Sequence, residues 1–113
     1  MPRFLAVYTM KPERVAAFRA RPKSEQDAID AEGVTAWEAW RARNAAAIVG
    51  ADVMVGKTRR VTAAGVSDAH NDLAGFVLVE AADLAAAAEL FRDHPHLTVF
   101  PGDSIDVMPV VAE

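Results

Sequence analysis

The stretch from Gly75 to Leu97, GFVLVEAADLAAAAELFRDHPHL, constrains the fold more than any other part of the chain. FVLVEA follows a glycine and is made of β-branched and aromatic residues, which predicts a strand. Asp83 stands where a helix N-cap belongs, its carboxylate free to accept from a backbone N–H of the first turn. Leu84, Ala87, Ala88 and Phe91 then recur at i, i+3, i+4 and i+7, with Leu90 beside them, the pattern of a helix burying one face. Glu89, Arg92 and Asp93 fall at its solvent side or end. Pro95 cannot continue it, because proline lacks an N–H and its ring meets the previous turn. A strand, a sharp turn and an amphipathic helix that stops at His94-Pro95-His96 are therefore expected here.

The remaining chain repeats this unit loosely. Arg3 to Met10 (RFLAVYTM) reads as a strand closed by Lys11-Pro12. Glu13 to Asp30 is charged and weakly helical, with Val15 and Phe18 on one side and Ser24/Asp27 spaced like a cap. Gly33 is expected to interrupt the run, and Thr35/Glu38 to start a second helix reaching about Ile48. Trp37, Trp40, Asn44 and Ala47 share one face of that helix, and Gly50 is expected to stop it. Ala51 to Val61 predicts a second strand, with Val53 and Val55 on one face, Asp52, Met54 and Gly56 on the other, and a bulge at Gly56. Thr62 to Ala74 predicts a long irregular loop. Pro101-Gly102-Asp103 signals a turn. Ser104 to Val111 predicts a last strand, which Pro109 confines to an edge or to a projecting end. The order β-α-β-β-α-β predicts a ferredoxin-like α+β fold: an antiparallel sheet with both helices on one face.

Length and composition set the outer limits. The 113 residues fit one domain, 1–113, large enough for an ordinary core. Without cysteine there can be neither a disulfide nor a thiolate metal site. A formal net charge of −4 argues against nucleic acid, which attracts a basic face. The N-terminal residues lack the pattern of a signal peptide, and no apolar run approaches the roughly 20 residues of a membrane span. A cytoplasmic protein without membrane contact is the expectation.

Two helices cover one side of a four-stranded sheet, yet Phe4-Leu5-Ala6-Val7, Val53-Met54-Val55 and Phe76-Val77-Leu78-Val79 put apolar groups on both. At roughly 25 cal/mol per Å² of apolar surface, a bare sheet face forgoes many kcal/mol. A homodimer packing sheet on sheet would relieve this. The competing expectation is a monomer whose 62–74 segment folds across the sheet.

RFLAVYTM, LAGFVLVEAADLAAAAELFRDHPHL and PGDSIDVMPV together resemble the YCII-related (DGPF) domain family over nearly the whole chain. The resemblance implies a ferredoxin-like fold paired into a dimeric α+β barrel. A few relatives look like small-molecule lyases or isomerases with a His–Asp pair near the first helix. This sequence departs there: Arg21-Pro22-Lys23-Ser24-Glu25 has no histidine, and only Asp27 and Asp30 remain.

The candidates for chemistry are few. His94 and His96, held apart by Pro95, titrate near neutrality and can act as acid or base, and His94 at a helix C-terminus would favour its cation. A metal is not expected, because H-x-H supplies two nitrogens where a catalytic zinc takes three protein ligands. His70, between Asp68 and Asp72, is a third candidate acid or base. Trp37, Trp40, Tyr8 and Phe18 could wall an aromatic pocket, and Asn44 on the same stripe needs partners if buried. Lys57, Arg59 and Arg60 could attract a carboxylate. No nucleophile elbow, phosphate loop or dinucleotide fingerprint is present, so no cofactor is expected. The readings in competition are a cofactor-free acid/base enzyme on a small carboxylated or aromatic molecule bound in a pocket near the dimer interface, with His94, His96 or His70 catalytic and Tyr8, Trp40, Asn44, Lys57 and Arg59 binding, and a non-catalytic dimeric ligand-binding or accessory module. A purely structural protein would lack a ligand-sized cleft.

Overall fold

A computed structural model describes residues 1–112; Glu113, the last residue of the expected domain, lies outside them. Four strands form an antiparallel sheet in the order β2 (Ile48–Met54), β5 (Leu73–Glu80), β1 (Arg3–Thr9), β6 (Ser104–Pro109). This is the ferredoxin-like order expected from the sequence. Phe4 opposes Val79 and Pro109, and Ala6 opposes Val77 and Val107, so their side chains share one face. On that face they build the core with Tyr8, Ala81, Trp40, Ala87 and Phe91. Trp40 belongs to α2 (Lys23–Arg43), Ala87 to α3 (Leu84–Glu89), and Phe91 follows α3 directly. Both long helical regions therefore pack on the same side.

Several expectations are corrected. Gly33 does not break a helix: α2 runs unbroken from Lys23 to Arg43, preceded by α1 (Pro12–Arg19). Gly33 is buried, and a Cβ there would lie 2.1 Å from Phe100 Cζ, so the glycine is present for a ring rather than for a stop. Neither capping pair forms. Pro22 is the N-cap without a side-chain bond, Lys23 pairs with Asp27 instead, and Thr35 and Glu38 lie inside the helix. The helix ends at Arg43 rather than Ile48, with Asn44 turning its Nδ2 back onto the Trp40 carbonyl. Gly50, φ +80°, lies within β2 where the register to β5 shifts between Val49 and Val53, so the bulge falls there rather than at Gly56.

The expected second strand is two. After β2 the chain leaves the main sheet and forms β3 (Thr58–Thr62), which pairs with β4 (Gly65–Ala69). The expected loop 62–74 is thus mostly hairpin. Its turn is fixed by Gly65 (φ +137°) and by Thr62 Oγ1, which accepts from Ala64 N. A radius of gyration of 15.5 Å, against about 13 Å for a compact chain of this size, reflects the one-sided layering and this separate two-stranded piece. Among the described residues, no helix is long and apolar enough to cross a membrane.

Asp83 caps α3 as expected, accepting from Ala86 N. The helix closes at Glu89, however, and His94-Pro95-His96 opens a new short helix, α4 (Pro95–Thr98), with Pro95 in its first turn and His94 as its N-cap. The expectation of His94 at a helix C-terminus is therefore reversed.

Candidate functional site

α4, α1, α2 and the ends of β1, β2 and β5 line a cavity of about 440 Å³ that opens to solvent. Met10, Phe18, Val34, Trp37, Met54 and Phe100 supply its apolar wall; Ala74 and Pro101 complete the apolar lining. Three polar side chains line it: Asp52 from the β2 bulge, Glu38 from α2 and His96 from α4. A mostly apolar space with a few converging polar groups is the form small-molecule sites take.

Strand alternation puts Asp52 on the helix side of the sheet with Ile48, while Val49 and Val53 face the other way. Tyr8 donates its phenolic hydrogen to Asp52 Oδ1 at 2.6 Å, and Arg41 Nη1 donates to Oδ2. Arg41 also donates to the Gly50 carbonyl, tying α2 to the bulge itself. Burial, then the hydrogen bond and the negative charge of Asp52, push the Tyr8 phenol well above its ordinary value, opposed by Arg41. Tyr8 therefore stays protonated and remains a donor.

The two histidines differ. His96 Nε2 stands 2.8 Å from the Thr9 carbonyl. A carbonyl only accepts, so Nε2 carries hydrogen and Nδ1 is the basic nitrogen of the neutral ring. Burial lowers the His96 pKa, against the bonds to the Thr9 and Ser104 carbonyls and the charge of Asp103, which raise it. The ring is thus neutral at neutral pH, and it borders the cavity. Gly102 makes room for it: a Cβ there would sit 2.3 Å from Nε2.

His94 is sealed behind the cavity wall. It is fully buried, and its ring centroid lies 4.3 Å from Trp37, 4.5 Å from Trp40 and 5.1 Å from Tyr8. Its Nδ1 accepts from His96 N at 3.0 Å, which puts the hydrogen on Nε2, and Nε2 finds no hydrogen-bond partner among the described residues. Desolvation pushes its pKa down to about 4. His94 holds α4 in place and shapes the position of His96 rather than facing the cavity.

The other residues singled out from the sequence scatter. Trp40 is core, its Nε1 donating to the Leu90 carbonyl, and Asn44 is spent on the Trp40 carbonyl. Lys57 and His70 meet in a second, open groove of about 800 Å³ between α1, the start of α2 and the base of the hairpin. Arg59 points away from both spaces, pairing with Asp68 across the hairpin at 3.5 Å. Asp27 is taken by Lys23, while Asp30 lines the groove. Sequence reasoning passed over Asp52, Arg41, Glu38 and Phe100. The one signal for Asp52 was a carboxylate interrupting the otherwise apolar run Val49 to Val55.

No family model matches this chain, and no curated protein does. Among solved structures, the chain is similar to 5-chloro-2-hydroxyhydroquinone dehydrochlorinase (TftG) from Burkholderia phenoliruptrix AC1100, determined in complex with 2,5-dihydroxybenzoquinone. The two share 16% identity over 94% of this chain and 90% of that one, with a TM-score of 0.51. At that identity the likeness is one of fold. It joins this chain to an α+β architecture in which the neighbour holds a small quinone.

Proposed function

We propose that this chain binds a small, planar aromatic molecule in the Trp37–Phe100 cavity and moves a proton on it without a cofactor. The observation that carries the reading is the placement of His96, neutral and with Nδ1 as its basic nitrogen, together with the Asp52 carboxylate in one aromatic-walled space. His96 Nδ1 would take a proton from the bound molecule. The imidazolium formed would be supported by the Thr9 carbonyl on Nε2 and by the field of Asp103. Asp52, held in place by Tyr8 and Arg41, is a fixed acceptor that would orient a ligand hydroxyl. The neighbour's quinone supports an aromatic ligand of this size.

A binding module without catalysis is the second reading, and Asp52 favours it: both of its oxygens are already engaged within the protein, Oδ1 by Tyr8 and Oδ2 by Arg41. Trp37 gives a fluorescence readout for both. A panel of hydroxylated quinones, phenols and aromatic lactones should quench it, and deuterium uptake from solvent by the bound compound should require His96. Quenching with no deuterium uptake selects the binding module, whereas uptake that survives His96→Gln removes His96 as the base. Absence of any quenching across the panel removes both readings.

The same reading includes a homodimer. Leu5, Val7, Val49, Val53, Phe76, Leu78 and Met108 form the sheet face opposite the helices. The hairpin pairs with itself and leaves Phe76 at 37% exposure, Val53 at 41% and Met108 at 40%. A second copy would cover this face, standing across the sheet from the cavity, so the cavity would not border that interface, contrary to the expectation from the sequence.

A further inference from the structure

The cavity and the groove share Met10, Phe18 and Ala74 in their linings, so they adjoin. Their charges are segregated. The ionic side chains of the inner cavity are the carboxylates Glu38 and Asp52, with no lysine or arginine among its lining residues. The outer groove carries Arg19, Lys23 and Lys57 against Asp30 alone, with His70 beside them. Lys23 is already engaged by Asp27 at 2.7 Å, whereas Arg19 and Lys57 have no side-chain ionic partner among the described residues. Thr58 and Asn71, bonded to each other at 3.1 Å, add polar groups to the groove floor.

The geometry points to a two-part ligand: a hydroxyl-bearing aromatic head seated inside against Asp52 and Glu38, and an anionic tail, a carboxylate by chemistry, lying outward along Arg19 and Lys57. This extends the aromatic-ligand reading and rests on it. A carboxylate in the cavity would meet Glu38 and the Arg41-paired Asp52, and no lysine or arginine lines that space to receive it. The same carboxylate outside meets two unpaired cations. The charge difference therefore sets which way round the ligand lies, and it disfavours benzoate-type molecules, whose carboxylate sits on the ring itself. Phe18 forms the hinge between the two spaces, touching head and tail regions alike.

The test compares three classes of probe on the full chain: a tail-free hydroxyphenyl compound, hydroxyphenylalkanoates of increasing tail length, and the neutral methyl amides of those same acids. Affinity is read by Trp37 fluorescence and calorimetry at low salt. At the best tail length the acid should bind roughly threefold to tenfold more tightly than its amide, the worth of one or two exposed charge pairs. Arg19→Gln combined with Lys57→Gln should abolish that difference and leave amide affinity unchanged, and high salt should do the same to the native chain. Both residues are exposed, so the variants keep the core intact. Equal binding of acid and amide, or an acid preference that survives the double variant, overturns the proposal while leaving the aromatic-ligand reading standing. Failure of every probe, tail-free included, overturns both.

Discussion

Tyr8 on the central strand and Asp52 on the edge strand are joined by a hydrogen bond of 2.6 Å that skips over β5 between them. The link exists because Asp52 shares the helix face of β2 with Ile48, where Arg41 balances its charge. Removing one end leaves a different remainder from removing the other. Tyr8→Phe keeps the Asp52–Arg41 pair and should cost about 1 kcal/mol in urea unfolding, the net worth of one such bond. Asp52→Ala strands both a buried phenol and a guanidinium and should cost about 2–3 kcal/mol. Equal costs for the two variants would refute this account of Asp52 as the shared partner of Tyr8 and Arg41.

His94 predicts an acid-sensitive fold. Its folded pKa is depressed to about 4 from an ordinary 6.5. For a depressed group, the stabilising contribution is fully present above the unfolded value and is lost as pH falls toward the folded one. Stability should therefore decline as pH drops from about 6.5 to about 4, by up to about 3 kcal/mol, since each tenfold loss of proton affinity on folding is worth about 1.4 kcal/mol. His94→Asn, which can still cap α4, should be less stable at neutral pH and flatter across that window. A native pH profile no steeper than that of the variant would show that the histidine does not carry the effect.

Gly33 offers a test in which two principles oppose each other. Alanine is worth about 1 kcal/mol more than glycine in a helix interior. At this position its methyl would stand 2.1–2.9 Å from three atoms of the Phe100 ring. Since Phe100 also walls the cavity, the ring cannot retreat without narrowing it. Gly33→Ala should lower the melting temperature and weaken ligand quenching of Trp37, and adding Phe100→Leu should restore stability by at least half. A stabilised single variant would mean the ring moves freely.

These cases also show where the sequence was legible. The strand at β5, the Asp83 cap and the apolar period of α3 are local features, and sheet order followed from their succession. Gly33 misled because its reason is a ring 67 residues away in sequence, and tertiary packing overrode its propensity. The hairpin was hidden because Thr58 to Ala69 lacks the apolar alternation of a half-buried strand; both of its strands are almost wholly exposed. His96 was visible as a histidine beside proline, but its difference from His94 depends on Thr9 and Gly102, which no spacing reveals. Asp52 was legible as one residue of a strand face with Met54, but its pairing with Arg41 of α2 depends on packing between helix and sheet that no spacing reveals.

The bare sheet face yields the last prediction. The molecule is only 20 Å through its thinnest dimension, one sheet and one helical layer, so half of the sheet's side chains have no second layer above them. Phe76 lies on that face beside Val7 and Val53, its partners in the ladder on either side. Phe76→Glu would place a charge at its middle while leaving the helix-side core untouched. If two copies join there, sedimentation at micromolar concentration should give a particle of twice the 12.1 kDa chain mass for the native protein and a single chain for the variant. Because the cavity lies on the other side of the sheet, the variant should still quench with aromatic ligands within about threefold of native affinity, since distant sites act nearly independently. A native protein that sediments as one chain would leave the face without a second copy to cover it, and a variant that loses ligand together with pairing would place the cavity under the control of the interface.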